Sequence, residues 1–193
     1  GDGCDHGTCP TYRNEPGLVI LDQGLVAVSV SAGYRHTCAI MDDGSLWCWG
    51  QNNHGQLGIG QEEEVRFSLP QNVGLGANRT AIEVTSGADH TCALLDDGAV
   101  SCWGRNYWGQ LGDGTNEDRP SPAPTNSLGD NRTAVRVSTG VWYGHTCALL
   151  DNGTVSCWGM NQQGQLGDGS FQHSNFPVDT LTMWLEDGVT GSA

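Results

Sequence analysis

Eight cysteines are the residues of this chain whose type and spacing could most readily do chemistry. They fall into four local pairs, the last three with a common spacing of ten: Cys4/Cys9, Cys38/Cys48, Cys92/Cys102 and Cys147/Cys157. Such pairs could form disulfides or ligate a metal. Structural zinc is typically held by short Cys-x₂₋₄-Cys knuckles, which the spacing of ten does not supply. The cysteines therefore predict disulfides and no metal site.

A histidine stands two residues before the first cysteine of each ten-residue pair, so that both lie on one face of a strand. These histidines are His36, His90 and His145. They invite a metal-binding or acid–base interpretation, but their recurrence indicates a role that every repeat needs. We interpret them as hydrogen-bonded structural residues. The tryptophans that follow the second cysteines are interpreted as packing residues, and the Asn and Gln of the next turn as partners of backbone groups.

The sequence offers no catalytic constellation. Ser, His and Asp are present, but none sits in a G-x-S-x-G elbow, and the chain has no Lys for a phosphate-binding loop or a Schiff base. No nucleophile, base and orienting group stand out together. We therefore expect no enzyme activity, no catalytic residues and no cofactor.

The charge of the chain limits its partners. All eight basic residues are Arg, against 22 acidic residues, which gives a formal net charge of −14. Nucleic acid and anionic membranes are disfavoured, because their binding rests on cationic contacts. No apolar run approaches the roughly 20 residues of a membrane span. Asp2 and Asp5 could touch Ca²⁺, but too few oxygen ligands are defined for a site.

A three-residue turn separates the two cysteines of each ten-residue pair. These turns are Asp42-Asp43-Gly44, Asp96-Asp97-Gly98 and Asp151-Asn152-Gly153, and their Gly supplies the left-handed position that a three-residue hairpin loop requires. If Leu95 pairs with Ala99, Cys92 faces Cys102 directly. Facing Cβ atoms lie about 4.5–5.5 Å apart, and local twist can bring them to disulfide distance. We predict a cross-strand disulfide in every hairpin, and hence a secreted or cell-surface protein.

The hairpins belong to a phrase that occurs three times, beginning at His36, His90 and His145 with a period of 54 and then 55 residues. A period of this size is typical of propellers and solenoids. In the middle copy, Ala81 to Thr85 reads as a first strand, the hairpin gives two more, and the Pro-rich stretch from Arg119 to Leu128 leads to an outer strand. Four strands in roughly 50 residues is the content of a propeller blade.

The phrases SAGYRHTCAI, SGADHTCALL and CWGxNxxGQLGxG resemble repeats of the regulator of chromosome condensation family, in a cysteine-bearing form similar to its secreted microbial members. The resemblance covers roughly residues 17 to 182. It implies a propeller of four-stranded blades, usually seven. Some members are guanine-nucleotide exchange factors and another is a secreted β-lactamase inhibitor, but we find no residues here that carry either activity over. The expected fold is all-β: three four-stranded blades in an incomplete propeller or open arc, each with a disulfide-bridged hairpin.

The repeats divide the chain into predicted regions: a cysteine-bearing segment at 1–16, blades at about 25–76, 77–131 and 132–182 within 17–182, and a tail or linker at 183–193. The first region is either a small disulfide-stapled unit or the remnant of an upstream module. A chain that begins with Gly and shows no signal peptide is a processed mature protein or a piece of a longer one.

Two further groups of residues are candidate sites. Sequons for N-glycosylation begin at Asn78, Asn131 and Asn152. Aromatic residues in predicted loops are candidates for binding a protein or a glycan, with core packing as the competing interpretation: Tyr107, Trp108, Trp142 and Tyr143.

Three blades cannot close a ring, so both ends of the arc should present exposed faces. The chain is a fragment of a longer propeller, or copies of it complete a ring, or copies join head to tail into a ring or filament. Segments 17–21 and 182–185 could supply strands to neighbours. We expect a secreted structural or interaction protein that self-associates. The alternative is an extracellular module that binds a protein or a glycan through its loops. A guanine-nucleotide exchange factor is the third interpretation and the least favoured.

Overall fold

Twelve β-strands form the protein, for which a computed structural model describes residues 19, 24–61, 66–142 and 144–181. The first four are β1 Ala27–Ala32, β2 His36–Met41, β3 Leu46–Gln51 and β4 Arg66–Val73. The next four are β5 Ala81–Ser86, β6 His90–Leu95, β7 Val100–Gly104 and β8 Arg119–Pro124. The last four are β9 Ala134–Thr139, β10 His145–Leu150, β11 Val155–Gly159 and β12 Ser174–Asp179.

The strands form three four-stranded antiparallel sheets, ordered β1-β2-β3-β4, β5-β6-β7-β8 and β9-β10-β11-β12. We call these sheets blades 1, 2 and 3. The expectation of an all-β arc of three propeller-type blades is confirmed. The described residues contain no helix, and so none that could span a membrane.

The middle hairpin of each blade has the register that the cysteine spacing predicts. Cys38 faces Cys48, Cys92 faces Cys102 and Cys147 faces Cys157, each pair with Cα atoms 4.1 Å apart and joined by a disulfide. The turn glycines have the positive φ that the three-residue loop requires, for example +78° at Gly98. The predicted hairpin disulfides are confirmed. Cys4 and Cys9 lie outside the described residues.

The first strand of each blade, β1, β5 or β9, lies beside the first strand of the next blade, which makes these the inner strands. The fourth strands are therefore the outer edges. Strand β8 consists of the Pro-rich segment itself rather than following it, because an outer strand leaves one edge without ladder partners and so tolerates Pro. The two predicted terminal strands lie outside the described residues, apart from Val19.

The core lies between blades rather than within them. One cluster of buried side chains joins Cys38, Ile40 and Leu57 of blade 1 to Val84 and Trp103 of blade 2. A second cluster joins the equivalent residues of blades 2 and 3. Each blade therefore has two different faces: the disulfide-bearing face packs on the following blade, and the opposite face packs on the preceding one.

Candidate interaction site

A chain of hydrogen bonds links blade 1 to blade 2 through the centre of their interface. His36 Nε2 lies 2.8 Å from the hydroxyl of Thr91, and that hydroxyl donates to the backbone carbonyl of Gln56 at 2.8 Å. A carbonyl can only accept, so the single Thr91 proton is committed to Gln56. The histidine must therefore donate its Nε2 proton, and the Nδ1 atom of neutral His36 is left bare.

The carbonyl of Gln56 accepts a second hydrogen bond, from the indole Nε1 of Trp103 at 3.0 Å. The same indole lies flat against Gly58, where an added Cβ would stand 2.7 Å from Nε1. Glycine at this position lets the tryptophan reach the carbonyl, and its φ of +74° also favours glycine. We call the set formed by His36, Gln56, Thr91 and Trp103 the inter-blade relay.

The relay recurs between blades 2 and 3 with equivalent residues. His90 Nε2 lies 3.1 Å from the Thr146 hydroxyl, which donates to the Gln110 carbonyl at 2.9 Å. The Trp158 indole donates to that carbonyl at 2.9 Å. Each blade thus presents a His and a carbonyl to the next blade, and a Thr and a Trp to the previous one.

Burial keeps the relay histidines neutral. The pKa of His36 is lowered to about 4 and that of His90 to about 3, chiefly because desolvation penalises the charged ring. Asp89 partly offsets the effect at His36, and the neighbouring histidines add to it at His90. The Nδ1 atoms of His36 and His90 have no hydrogen-bond partner among the described residues, so a proton there would lack an acceptor. These histidines are structural groups, as their repetition predicted.

A second contact between blades uses different chemistry at equivalent positions. His54 of blade 1 pairs with Asp118 of blade 2 at 2.8 Å, which raises the pKa of the histidine. Between blades 2 and 3, Trp108 instead lies against His173, with ring centroids 4.5 Å apart. Within the residues that the structure describes, no group of three or more His, Cys, Asp and Glu could hold a metal ion.

Among the residues that the structure describes, no blade packs on the face of blade 1 that points away from blade 2. Val30 occupies the position of Val84, yet its exposed fraction is 68% against 6%. Thr37 and Trp49 stand where Thr91 and Trp103 stand in blade 2, and both are only half-buried. A recess of about 490 Å³ surrounds Trp49 and is lined by Arg35, Gln51, Arg66 and Phe67. We call this surface the Trp face.

The face of blade 3 that points away from blade 2 is the complement of the Trp face. Leu149 occupies the position of Leu94, yet its exposed fraction is 39% against 1%. His145 and Gln165 stand where His90 and Gln110 stand, and both are half-buried. At Gly167 an added Cβ would meet only Thr180 among the described residues, at 3.4 Å, so no indole of the described tryptophans lies on it. We call this surface the His face.

The candidate aromatic residues lie at one end of the blades. Tyr107 and Trp108 follow β7, and Trp142 lies between β9 and β10; Tyr143 lies outside the described residues. Trp142 has an exposed fraction of 75% and contacts Tyr34 of blade 1, with ring centroids 6.2 Å apart. None of these three predicted aromatics belongs to the core clusters.

The sequon asparagines lie near the opposite end of the blades. Asn152 is in a hairpin turn, and Asn78 and Asn131 precede strands that begin beside such turns, where Thr80 contacts Gly44 and Thr133 contacts Gly98. All three asparagines are exposed. Their glycosylation stays a prediction.

Sequence reasoning missed the relay threonines, although a threonine follows the histidine in every copy of the phrase: Thr37, Thr91 and Thr146. That repetition was the available signal. The Thr lies on the opposite face of the strand from His and Cys, so its partner could be found only by placing the blades together.

This repeat architecture is that of a known family. Two patterns describing the regulator of chromosome condensation (RCC1) repeat match the chain, one at residues 27–56, 81–110 and 134–165, the other at 43–94, 97–149 and 152–183. The chain belongs to the RCC1 repeat family. The predicted resemblance is thus confirmed, and RCC1-type repeats account for each of the three blades.

Relatives by sequence are longer proteins. The chain is 35% identical over 183 residues to the ultraviolet-B receptor UVR8 of Arabidopsis thaliana, covering 94% of this chain and 40% of that protein. It is 37% identical over 150 residues to the probable E3 ubiquitin-protein ligase HERC4 of Rattus norvegicus, covering 78% of this chain and 14% of that protein. The chain therefore spans less than half the length of these relatives.

Solved structures share the fold. Human WBSCR16 superposes with a TM-score of 0.73 at 22% identity, over 85% of this chain and 42% of that one. Prp20p of Saccharomyces cerevisiae, whose binding to Gsp1p and histones has been described, superposes with a TM-score of 0.72 at 22% identity. That match covers 81% of this chain and 38% of that one. Three blades of this protein thus correspond to part of a longer RCC1 propeller.

Proposed function

We propose that this RCC1-repeat protein is an extracellular structural or interaction protein that self-associates head to tail, with the Trp face of one copy on the His face of another. The observation that carries the proposal is the inter-blade relay, which is made twice inside the chain and is present as separated halves on the two open faces. Copies joined in this way form a ring if the rotation closes and a filament if it does not.

The two open faces match in hydrogen bonding. In the proposed contact, Thr37 of one copy accepts from His145 and donates to the carbonyl of Gln165 of the next copy, as Thr91 does with His36 and Gln56. The indole of Trp49 then lies against Gly167, beside the side chain of Thr180. The turn that carries Gln165 and Gly167 would enter the recess around Trp49 of the other copy. Inside the chain, the turn of blade 1 that carries Gln56 and Gly58 contacts Trp103 of blade 2 in the same way.

The open faces also match in apolar surface and charge. Val30 and Leu149 are exposed here, whereas their equivalents are buried inside the two internal interfaces, so association would bury them. Arg35 and Arg66 line the recess of the Trp face, and the entering turn carries Asp168 next to Gly167. The pairing thus follows an interface that this sequence already builds.

The disulfides support an extracellular location for this role. All six described cysteines are paired, and disulfides of this density are rare in reducing compartments. In reduced protein the blades would lose three short cross-links, each of which stabilises a protein by about 2–3 kcal/mol. Secretion into an oxidising compartment is therefore part of the proposal.

The test is the mass of the particle in solution, by light scattering coupled to gel filtration over a range of concentrations. Wild-type protein is expected to form species larger than one chain. Val30→Asp, which places a charge in the centre of the Trp face, is expected to leave a folded monomer. Ile82→Asp is the matched control, because Ile82 is an exposed inner-strand residue outside both open faces.

A wild-type monomer at every concentration would contradict the proposal, as would association that Val30→Asp and Ile82→Asp reduce equally. A Leu149→Asp variant tests the other face. Mixed with Val30→Asp protein, it should form only pairs, because each variant retains one intact face.

A further inference from the structure

A recess between blades 2 and 3 has the composition of a small-ligand site and takes no part in the proposed self-association. Its volume is about 260 Å³, just below the range of about 300–1,000 Å³ typical of sites for drug-sized ligands. The polar lining includes Asp89, Arg105 and Gln110, and two aromatic side chains, Trp108 and Trp142, also line it. The remaining lining residues are Ala88, His90 and Gly144. We call this recess the aromatic pocket.

The aromatic residues around this pocket are departures from the repeat. Tyr107 and Trp108 stand where blade 1 has Asn53 and His54 and where blade 3 has two glutamines. The loop that carries Trp142 has four residues between Gly140 and His145, whereas the equivalent loops of blades 1 and 2 have two. Because blades 1 and 3 fold without aromatics at the Tyr107 and Trp108 positions, and blades 1 and 2 without the longer loop, the blade fold does not require these residues.

The polar groups of the pocket are held in place. Gln110 is 3% exposed, and its Oε1 accepts a hydrogen bond from the Trp108 backbone N–H at 2.9 Å. Its amide nitrogen donates no hydrogen bond to the described residues and lies beside Gly144, which also lines the pocket. Asp89 pairs with Arg105 at 3.4 Å, which leaves carboxylate and guanidinium positions free for further hydrogen bonds. The pocket thus places the Gln110 amide group beside the ion pair of Asp89 and Arg105, whose net charge is zero.

The charges in the pocket lining offset each other. Asp89 and Arg105 pair with each other, so a ligand cation would meet the Arg105 guanidinium beside the Asp89 carboxylate and would find no uncompensated negative charge in the lining. An anion would meet Asp89 and a chain of net charge −14. A neutral ligand with several hydroxyl groups and a flat apolar face satisfies both conditions.

We propose that the aromatic pocket binds one neutral sugar ring, with the ring stacked on Trp142 and its hydroxyl groups bonded to Gln110, Asp89 and Arg105. A pyranose has an apolar face of C–H groups, which stacks on an aromatic ring, and an edge of hydroxyls, which both donate and accept. The ligand class is therefore a neutral hexose or N-acetylhexosamine unit.

The test is titration of the full chain with a panel of methyl glycosides of neutral hexoses and N-acetylhexosamines, followed by the indole N–H signals of the tryptophans in NMR spectra. At least one glycoside is expected to shift the signals of Trp108 and Trp142 saturably, with a millimolar dissociation constant. Trp142→Ala is expected to weaken binding roughly tenfold or more, and Trp142→Phe to restore most of it. Phe171→Ala is the matched control, because Phe171 is an exposed aromatic of blade 3 outside the pocket.

Two charged probes, choline and sulfate, should leave the spectrum unchanged. The proposal is overturned if no glycoside shifts these signals, if a charged probe shifts them more strongly, or if Trp142→Ala binds as tightly as Phe171→Ala. The sugar-binding proposal would likewise be overturned if a protein partner bound in a Trp142-dependent way while no glycoside shifted the signals. Since Trp142 lies outside both open faces, particle mass should be unchanged in the two Trp142 variants, which separates this result from the test of self-association.

Discussion

At the residue scale, the relay turns one backbone carbonyl into the meeting point of two blades. Gln56 contributes its carbonyl and not its side chain to that contact, while Thr91 and Trp103 both donate to it. The histidine completes the set by donating its Nε2 proton to the threonine. Protonation at Nδ1 would keep that donor, but it would place a buried positive charge and an N–H without an acceptor among the described residues, so it destabilises the interface.

The relay histidines predict a loss of stability in mild acid. In the unfolded chain a histidine binds a proton near pH 6.5, whereas in the folded state His36 does so near pH 4 and His90 near pH 3. The unfolded state therefore binds more protons below pH 6.5, and the free energy of unfolding decreases as the pH falls, by about 2 kcal/mol per histidine at pH 5. Urea unfolding at pH 7 and pH 5 measures this difference.

His36→Gln supplies the comparison, because the amide can donate to Thr91 but does not titrate. The variant should be less stable than wild type at pH 7 and should lose less stability on going to pH 5. His54 acts in the opposite direction: its pKa is raised by Asp118, so its contribution is present in acid and lost as the pH rises through that raised pKa. An acid sensitivity that is unchanged in His36→Gln would show that the relay is not its source.

At the element scale, each hairpin contributes a disulfide to the face that packs on the following blade. Cys92 and Cys102 are therefore completely buried against blade 3, and Cys38 and Cys48 against blade 2. Cys147 lies on the His face and is only half-buried. Three hairpins of nearly identical sequence thus differ in the access of reagents to their sulfur atoms.

Mild reduction should open the Cys147–Cys157 disulfide before the other two. Thiolate attack requires access to a sulfur atom, and only this hairpin presents one on an open face. Alkylation followed by mass spectrometry of the peptides would measure the order, with Val30→Asp protein used to keep the chain monomeric. Earlier labelling of Cys92 or Cys102 would contradict the proposed difference, and protection of Cys147 in the wild type would support association through the His face.

The hairpins were the part of the fold that the sequence predicted best, because a strand register follows from counting residues on either side of a turn. Cys92 faces Cys102 whatever surrounds the blade. The environment of Val30 could not be predicted in this way, since the same residue type is buried at Val84 and exposed at Val30. Nor could the contact of Tyr34 with Trp142, which depends on how two loops from different blades are placed in space.

At the scale of the whole molecule, the blades form an arc whose two ends differ, and the proposed contact joins one end to the other. Val30, Thr37 and Trp49 mark one end, and His145 and Leu149 mark the other. Heterologous ends of this kind would join copies head to tail, all in the same orientation. The aromatic pocket lies between blades 2 and 3, so each copy in the proposed assembly would carry one.

Thermal stability should depend on protein concentration. A contact that exists only between folded chains stabilises them by mass action, so the midpoint of unfolding should rise by roughly 3–5 °C for each tenfold increase in concentration above the dissociation constant. Calorimetry or circular dichroism at several concentrations would measure the rise. Val30→Asp should abolish it, and Ile82→Asp should not; a midpoint independent of concentration in the wild type would contradict the proposed contact.

The relay accepts its hydrogen bonds at a main-chain carbonyl, and this bears on the evolution of the repeats. Every peptide unit carries a carbonyl, so a blade is recognised by its neighbour largely through a group that mutation of the Gln side chain does not remove. A duplicated or exchanged blade that brings one threonine and one tryptophan would therefore find the relay already complete on any blade that brings the histidine and the glycine turn. The second inter-blade contact would still have to be matched at the new junction, because it is His54 with Asp118 at one junction and Trp108 with His173 at the other.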